Sequence, residues 1–242
     1  MNLPLRILTM ARTSTTILPS SLKRLSLLVA GFVHCAAAAA AAQQFSADLV
    51  IMPHDGGAAA APAGKLRVLD DKVRLETPEF ADGFFLIDGA GPTAYFVRSA
   101  ARVFMDARQS SRLTRIFVPV DPDGPCRQWQ AMAKLAGSAD QGDWRCERTG
   151  EETISGRSAI VYRAVSASGR ELVGWIDATR KFPLRIKTEE GAVITAENIR
   201  DEPQPAPLFE IASDFRKFDP ESLIQRIKQS DVWVAGKKGS KD

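Results

Sequence analysis

The chain has 242 residues, of which 45% are hydrophobic and 25% are charged, and its formal net charge is +3. Four basic residues and no acidic residue precede Gln43, so the rest of the chain has 28 basic and 29 acidic residues and a net charge of −1. This balance excludes the clustered cationic surface on which nucleic-acid binding depends. About 200 residues remain after this leader, which suits one domain with a single core.

The first 42 residues have the features of a secretory signal peptide. An apolar run at 25–33 follows the basic residues, and an alanine tract ends just before Gln43. We therefore predict cleavage near Gln43 and export to the periplasm. An uncleaved membrane anchor is the alternative, although this run is shorter than the roughly 20 apolar residues that a membrane-spanning helix needs. Met10 precedes a shorter but complete signal, so Met1 and Met10 both stay open as the start.

Alternating apolar and polar residues predict antiparallel strands in the first half of the chain. The loop 53–64, rich in Gly, Ala and Pro, separates the first strand from the second. Turn signals follow at short intervals, which favours hairpins over βαβ units. The predicted strands are 45–52, 65–69, 72–77, 84–88, 93–98 and 102–106.

A helix is predicted between the Asp-Pro-Asp-Gly-Pro stretch at 121–125 and Gly137. Its apolar face consists of Trp129, Met132, Ala133 and Ala136, so it needs a sheet to cover. The same stretch has part of the pattern of a calcium loop. It lacks the later oxygen ligands and the closing glutamate, so we interpret it as a helix start.

Cys126 and Cys146 are the two cysteines that follow the leader. In an exported protein such a pair is expected to form a disulfide. Closing a loop of this size stabilises the fold by about 3 kcal/mol in the chain-entropy view. A redox or zinc site is the alternative, but the spacing is not C-x-x-C and His54 is the one histidine after the leader.

Two further strands, at 144–148 and 158–165, lead into a three-stranded meander at 171–200. The meander has turns at 178–181 and 189–191, and the second turn offers Gly191 for a positive φ. One of its faces is apolar and the other polar, which indicates one face in the core.

The chain after the meander contains a connector, a helix and a tail. Prolines at 202–207 predict a connector at a sheet edge, because proline cannot donate a ladder hydrogen bond. Asp219 and Pro220 predict the start of a last helix, whose buried stripe would be Leu223, Ile224 and Ile227. The predicted organisation is a signal peptide at 1–42, one domain at 43–235 and a flexible tail at 236–242.

These elements predict an α+β fold, mostly antiparallel β, in which two helices cover a curved, incomplete barrel. The order and spacing of several short motifs resemble those of the bacterial outer-membrane lipoprotein carriers and sorting proteins, which have the LolA-like fold. The matching pieces are Gly64-Lys65, residues 72–76 (KVRLE), Asp88-Gly89, residues 175–177 (WID), residues 182–185 (FPLR), residues 198–200 (NIR) and residues 207–211 (PLFEI). The resemblance implies a periplasmic carrier whose apolar interior takes up acyl chains of lipoproteins.

Inward positions on the strands and the first helix predict a hydrophobic cavity. Its lining is expected to be Val73, Leu75, Phe84, Leu86, Trp129, Met132, Phe182, Leu184 and Ile186. Small residues on the helix, Ala133 and Ala136, would leave room there for an acyl chain. The resemblance also makes Arg74 a candidate for holding a lid closed, and the alternative is a solvent-facing arginine without a role.

No catalytic residues, cofactor or metal are predicted. The sequence has no Gly-x-Ser-x-Gly elbow, no metal-spaced histidines and no phosphate-binding glycine loop. The expected partners are lipids or the acyl chains of lipoproteins, with envelope membrane proteins as a further class, and the protein is expected to be a monomer. The alternative is an envelope interaction or sensor module of the same fold without a ligand.

Overall fold

The structure is a computed structural model that describes residues 43–54, 59–107, 112–137 and 142–229. The predicted signal peptide and the predicted C-terminal tail lie outside these residues. No helix in the described ranges is long and apolar enough to cross a membrane. The strands are β1 Gln44–Met52, β2 Ala61–Leu69, β3 Lys72–Glu76, β4 Gly83–Asp88, β5 Thr93–Arg98, β6 Val103–Asp106, β7 Arg145–Ile154, β8 Arg157–Val165, β9 Glu171–Asp177, β10 Phe182–Lys187, β11 Val193–Arg200 and β12 Arg216–Lys217, and the helices are α1 Leu113–Ile116, α2 Cys126–Leu135 and α3 Pro220–Gln229.

One sheet contains all twelve of these strands, in the order β12-β6-β5-β4-β3-β2-β1-β11-β10-β9-β8-β7. Every neighbouring pair is antiparallel except β12 and β6, which are parallel. The two end strands, β7 and β12, do not pair with each other, so the curved sheet stays open. This confirms the predicted fold class, a mostly antiparallel incomplete barrel with few helices.

The meander β9–β11 forms as its sequence pattern predicts. The turn between β9 and β10 ends at Lys181, with φ of 48°, and the next turn ends at Gly191, with φ of 82°. In this second turn, the Gly191 amide donates to the Thr188 carbonyl at 2.8 Å. Together the turns fix the register of three neighbouring strands. Glycine is favoured at the second position because other side chains rarely adopt that backbone region.

The main core lies on the inner face of the sheet. Its largest fully buried side chains come from the strands, from α2 and from the segment between the two helices. Phe45 packs edge to face on Phe182 at 5.3 Å between ring centroids, and Phe117 lies next to Phe182 at 6.4 Å. α2 and residues 116–120 therefore cover the inner face of the sheet, as the sequence predicts for the first helix.

The outer face is covered by residues 201–218, which we call the outer strap. Glu202 accepts a hydrogen bond from Ser46 of β1 at 2.5 Å, and Gln204 accepts one from Arg67 of β2 at 3.3 Å. Further along, Ile211 and Phe215 pack on β4 and β5, before β12 joins the sheet beside β6. The prediction that the proline-rich connector runs at an edge is therefore wrong. The connector crosses a sheet face, with side chains rather than a ladder making its hydrogen bonds.

The last helix, α3, begins where predicted, with Asp219 Oδ1 accepting hydrogen bonds from the amides of Glu221 and Ser222. Its predicted buried stripe is wrong at two of three positions, since Leu223 is 36% exposed and Ile224 is 50% exposed. The side chain of Ile227 lies outside the description. The apolar spacing is that of an amphipathic helix, but the outer strap and α2 already cover the sheet, which leaves no apolar face for α3 to bury.

Candidate functional site

Six of the nine predicted cavity residues meet in the inner core. They are Val73, Leu75, Trp129, Met132, Phe182 and Ile186. Most of their surface is buried against other side chains of the protein, with Trp129 and Met132 each 1% exposed. The centre of the concave face is therefore a packed core.

Phe84 and Leu86 lie on the outer face, so their predicted inward direction is wrong. They pack with Val97 in a separate cluster under the outer strap, while their neighbours Phe85 and Ile87 point into the inner core. Five consecutive residues of β4 are buried because both faces of this strand are covered. Alternation consequently carries no information about which face is inner.

Leu184 also leaves the predicted cavity. The pairing of β10 with β9 shifts register between Pro183 and Arg185, and such an irregularity turns the chain locally. Leu184 is fully buried in another cluster, with Ile154 and Ala159. Its side chain therefore does not share the inner face with Phe182 and Ile186.

Arg74 binds the outer strap, at a single turn of 3₁₀ helix formed by Ala206–Phe209. Its Nε donates to Glu76 at 2.9 Å, and its Nη1 donates to the carbonyl of Leu208 at 3.3 Å. The guanidinium also lies over the ring of Phe84, 3.4 Å from the centroid, and the side chain is 16% exposed. Arg74 is thus neither solvent-facing nor directed at α2, and its contacts fasten residues 206–209 to the outer face.

Cys126 and Cys146 form the predicted disulfide, with 5.7 Å between their Cα atoms. The bond joins the first residue of α2 to the edge strand β7. It therefore holds one end of the helix that covers the inner face.

A cleft of about 140 Å³ opens where the cover formed by the helices ends. It lies between the two helices on one side and β9, β10 and the turn after β10 on the other. Its lining is Arg112, Arg115, Ile116, Trp129, Ala133, Trp144, Arg170, Glu171, Leu172, Ile186, Thr188, Glu189 and Glu190. Trp129 and Ile186 are the two predicted cavity residues that reach this cleft.

The floor of the cleft is apolar, and Trp129 determines its shape. The indole Nε1 of Trp129 donates to the carbonyl of Ile116 at 3.1 Å, which joins α2 to α1. Its ring lies on Gly174 of β9, where an added Cβ would be 2.5 Å from the ring carbon Cη2 and 3.2 Å from Ile186 Cδ1. Only a residue without a side chain allows Trp129 to approach the sheet so closely.

The mouth of the cleft is charged. Arg112 donates to the carboxylate of Glu190, and this contact lowers the pKa of Glu190 to about 2, with a backbone hydrogen bond contributing. Glu171 is paired with Arg163 of the neighbouring strand, which also lowers the pKa of its carboxyl group. Two of the three glutamates at the cleft therefore already have arginine partners.

The charged residues at the mouth were not predicted as a site. The sequence predicts only a turn at 189–191, and it does not predict α1, which is four residues long. A signal was present in the spacing of Arg112 and Arg115, three residues apart immediately before an apolar stretch. Their meeting with the β10–β11 turn depends on long-range packing, which local patterns do not encode.

Comparison with known proteins places this chain by its fold alone. No protein-family model and no curated protein match it. An uncharacterized conserved protein from Thermus thermophilus is similar, with 12% identity, a TM-score of 0.42 and coverage of 74% of this chain and 91% of that one. A LolA superfamily protein from Nitrosomonas europaea has 12% identity, a TM-score of 0.32 and coverage of 70% and 90%.

MucB, in its complex with MucA(peri), has 11% identity, a TM-score of 0.36 and coverage of 73% of this chain and 57% of that one. This chain spans 33% of the length of PNGF-II, another solved chain that it matches. Proteins of the LolA superfamily are thus among the solved structures to which this chain is similar.

Proposed function

We propose that this protein is a non-enzymatic binding protein of the bacterial cell envelope that takes the end of an acyl chain into the cleft beside α2. The observation that carries this proposal is the apolar floor of the cleft. Ile116, Trp129 and Ala133 form it from the helical side, and Leu172 and Ile186 from the sheet. A largely apolar concavity with a few polar groups at its mouth is the usual form of a small-molecule site.

The volume of the cleft limits how much of a chain enters. At about 140 Å³ it is close to an apolar cavity that holds one benzene molecule. About five buried methylene groups contribute about 4 kcal/mol, at about 0.8 kcal/mol each, which corresponds to a Kd of about 1 mM. The rest of a long chain would lie outside the cleft, so the structure supports binding of a chain end and not enclosure of a whole lipid.

Fluorescence quenching tests this proposal, because Trp129 and Trp144 both line the cleft. A fatty acid brominated at the end of its chain should quench their emission on binding. Ala133→Leu should fill the cleft and weaken binding by about tenfold or more. Ala131→Leu is the matched control, since it makes the same change on the same helix at a half-buried position outside the cleft. If no acyl probe binds the folded wild-type protein, the proposal is wrong.

A second candidate is an interaction module without a lipid ligand. The packed centre of the concave face favours it, because fully buried side chains occupy the space that an enclosed acyl chain would need. It predicts that acyl probes leave the tryptophan emission of the wild-type and Ala133→Leu proteins unchanged. Extraction of the purified protein followed by mass spectrometry separates the two candidates, since co-purifying lipid supports the first alone.

A further inference from the structure

The cleft contains a guanidinium group that no carboxylate neutralises. Within the described part of the chain, Arg115 makes no ion pair, and its Nε is buried without a hydrogen-bond partner. Burial lowers the pKa of Arg115, and the guanidinium groups of Arg112 and Arg170 lower it further. Arg115 thus lies in a partly desolvated position beside two other cations. A partly desolvated guanidinium destabilises the folded protein unless an anion pairs with it.

A second donor without a partner lines the same cleft. The indole Nε1 of Trp144 is buried and has no hydrogen-bond acceptor among the residues that the structure describes. Indole and guanidinium N–H groups can only donate, so both require an acceptor from outside the protein. Native proteins leave few buried donors unsatisfied, and two that line one open cleft indicate a shared acceptor.

The acidic groups nearby do not supply that acceptor. Glu190 pairs with Arg112, and Glu171 pairs with Arg163 of β8. Glu189, the third glutamate at the cleft, does not bond to Arg115 Nε, which has no partner among the described residues. The turn that carries Glu190 is held by backbone hydrogen bonds between Thr188 and the residues at 191 and 192, which keep its carboxylate beside Arg112. Arg115 and Trp144 therefore remain available to a ligand.

We propose that the ligand of this cleft is an amphipathic anion, whose carboxylate or phosphate group is bound by Arg115 and Trp144 while its chain lies on the Trp129 floor. This inference rests on the proposed function and adds the class of headgroup. The apolar contacts alone give only weak binding, so a charge-assisted hydrogen bond at the mouth supplies much of the affinity and sets the orientation. A neutral headgroup oxygen can accept these hydrogen bonds but leaves the charge of Arg115 without a counter-ion, and a quaternary ammonium headgroup has no acceptor at all.

Isothermal titration calorimetry with four ligands of equal chain length tests the headgroup in the wild-type protein. The ligands are octanoate, octyl phosphate, 1-octanol and octyltrimethylammonium, at one ionic strength. We expect the two anions to bind about tenfold tighter than 1-octanol, and the cation to bind most weakly. A preference for octanoate over octyl phosphate would identify fatty carboxylates as the natural class, and the reverse preference would identify phosphorylated lipids.

Two variants test whether Arg115 is the residue that binds the anionic headgroup. Arg115→Met keeps an apolar stem and removes the charge, so it should reduce binding of the anions by about tenfold and leave 1-octanol unchanged. Arg127→Met is the control for net charge, because this α2 side chain is 73% exposed and lies outside the cleft.

The outcomes separate the two proposals. If 1-octanol binds as tightly as octanoate, the anionic headgroup is excluded and the acyl-binding proposal stands. If Arg115→Met keeps the preference for anions, the assignment of the headgroup to Arg115 is wrong. If none of the four ligands binds, both proposals are overturned. The comparison of headgroups needs only the wild-type protein, so it remains decisive even if Arg115→Met does not fold.

Discussion

Replacement of Gly174 by alanine tests how closely the helical cover approaches the sheet. The new Cβ would lie 2.5 Å from Cη2 and 3.0 Å from Cζ2 of Trp129, and the fully buried Ile186 lies on the other side at 3.2 Å. Trp129 cannot move away freely, because its indole N–H is bonded to Ile116. Overpacking of this kind costs about 1–3 kcal/mol, and we expect a loss in this range from the free energy of unfolding.

The chain offers a matched control for this substitution. Gly150 also lies in a strand, on the exposed β7, and a Cβ there would meet nothing within 4 Å. Gly150→Ala should therefore change the free energy of unfolding by less than about 1 kcal/mol, in the stabilising direction, because alanine restricts the unfolded chain. Urea unfolding followed by circular dichroism and tryptophan emission measures both variants.

A third variant assigns the loss to Trp129. Trp129→Phe removes the two ring carbons that the new Cβ would meet, so Gly174→Ala should cost much less in that background. A double-mutant cycle gives the coupling, which we expect to be at least about 1 kcal/mol. Equal stabilities of the Gly174→Ala and Gly150→Ala proteins, or additive effects in the cycle, would refute the packing of Trp129 on Gly174.

Two further predictions concern the disulfide and the acidic groups. Reduction of the Cys126–Cys146 bond should destabilise the protein by about 3 kcal/mol and lower its melting temperature, while the far-ultraviolet circular dichroism of the sheet is retained below the new transition; an unchanged melting temperature would contradict this. Arg112 lowers the pKa of the Glu190 carboxyl group from 4.5 to about 2, so the contribution of this pair to stability is complete above about pH 5 and is lost as the pH falls towards about 2. Urea unfolding between these pH values measures this contribution, and the Glu190→Gln protein should lose less stability on acidification than the wild type. The difference should be modest, because both Arg112 and Glu190 are about half exposed. Identical pH profiles would show that the pair has no role in acid sensitivity.

Local patterns were sufficient for most of the sheet. Alternation with short turns predicted eleven strands that overlap the observed ones, although β7 continues to Ile154, well beyond its predicted end at 148, and the paired cysteines predicted the Cys126–Cys146 disulfide. The meander was the clearest case, because its strands alternate regularly and Gly191 marks its second turn, whereas the positive φ of Lys181 in the first turn was not predicted. The start of β2 at Ala61 was missed, since its Ala and Pro residues have no alternation.

The candidate site was much harder to predict than the sheet. The prediction of its floor was partly correct, since Trp129 and Ile186 were predicted to line a cavity and both line the cleft. Its mouth depends on α1 meeting the β10–β11 turn, and these are separated by more than seventy residues of chain. A helix as short as α1 has too few residues for a periodic pattern, so nothing local marks Arg115 as a buried group.

The errors at Phe84, Leu86 and α3 have one physical origin, which is that both faces of the sheet are covered. The prediction assumed that one face of the sheet is buried and the other is exposed to solvent. Every second apolar residue of a strand was therefore placed in a single core, and both helices were expected to cover that core. Here the outer strap buries Phe84 and Leu86 on the outer face, while α2 alone with residues 116–120 fills the inner one. Because the outer strap, α2 and residues 116–120 cover these faces, α3 stays exposed. The cleft is an opening in the inner cover, and the strongest reason to expect a ligand there is the pair of buried donors in its lining that have no acceptor among the described residues.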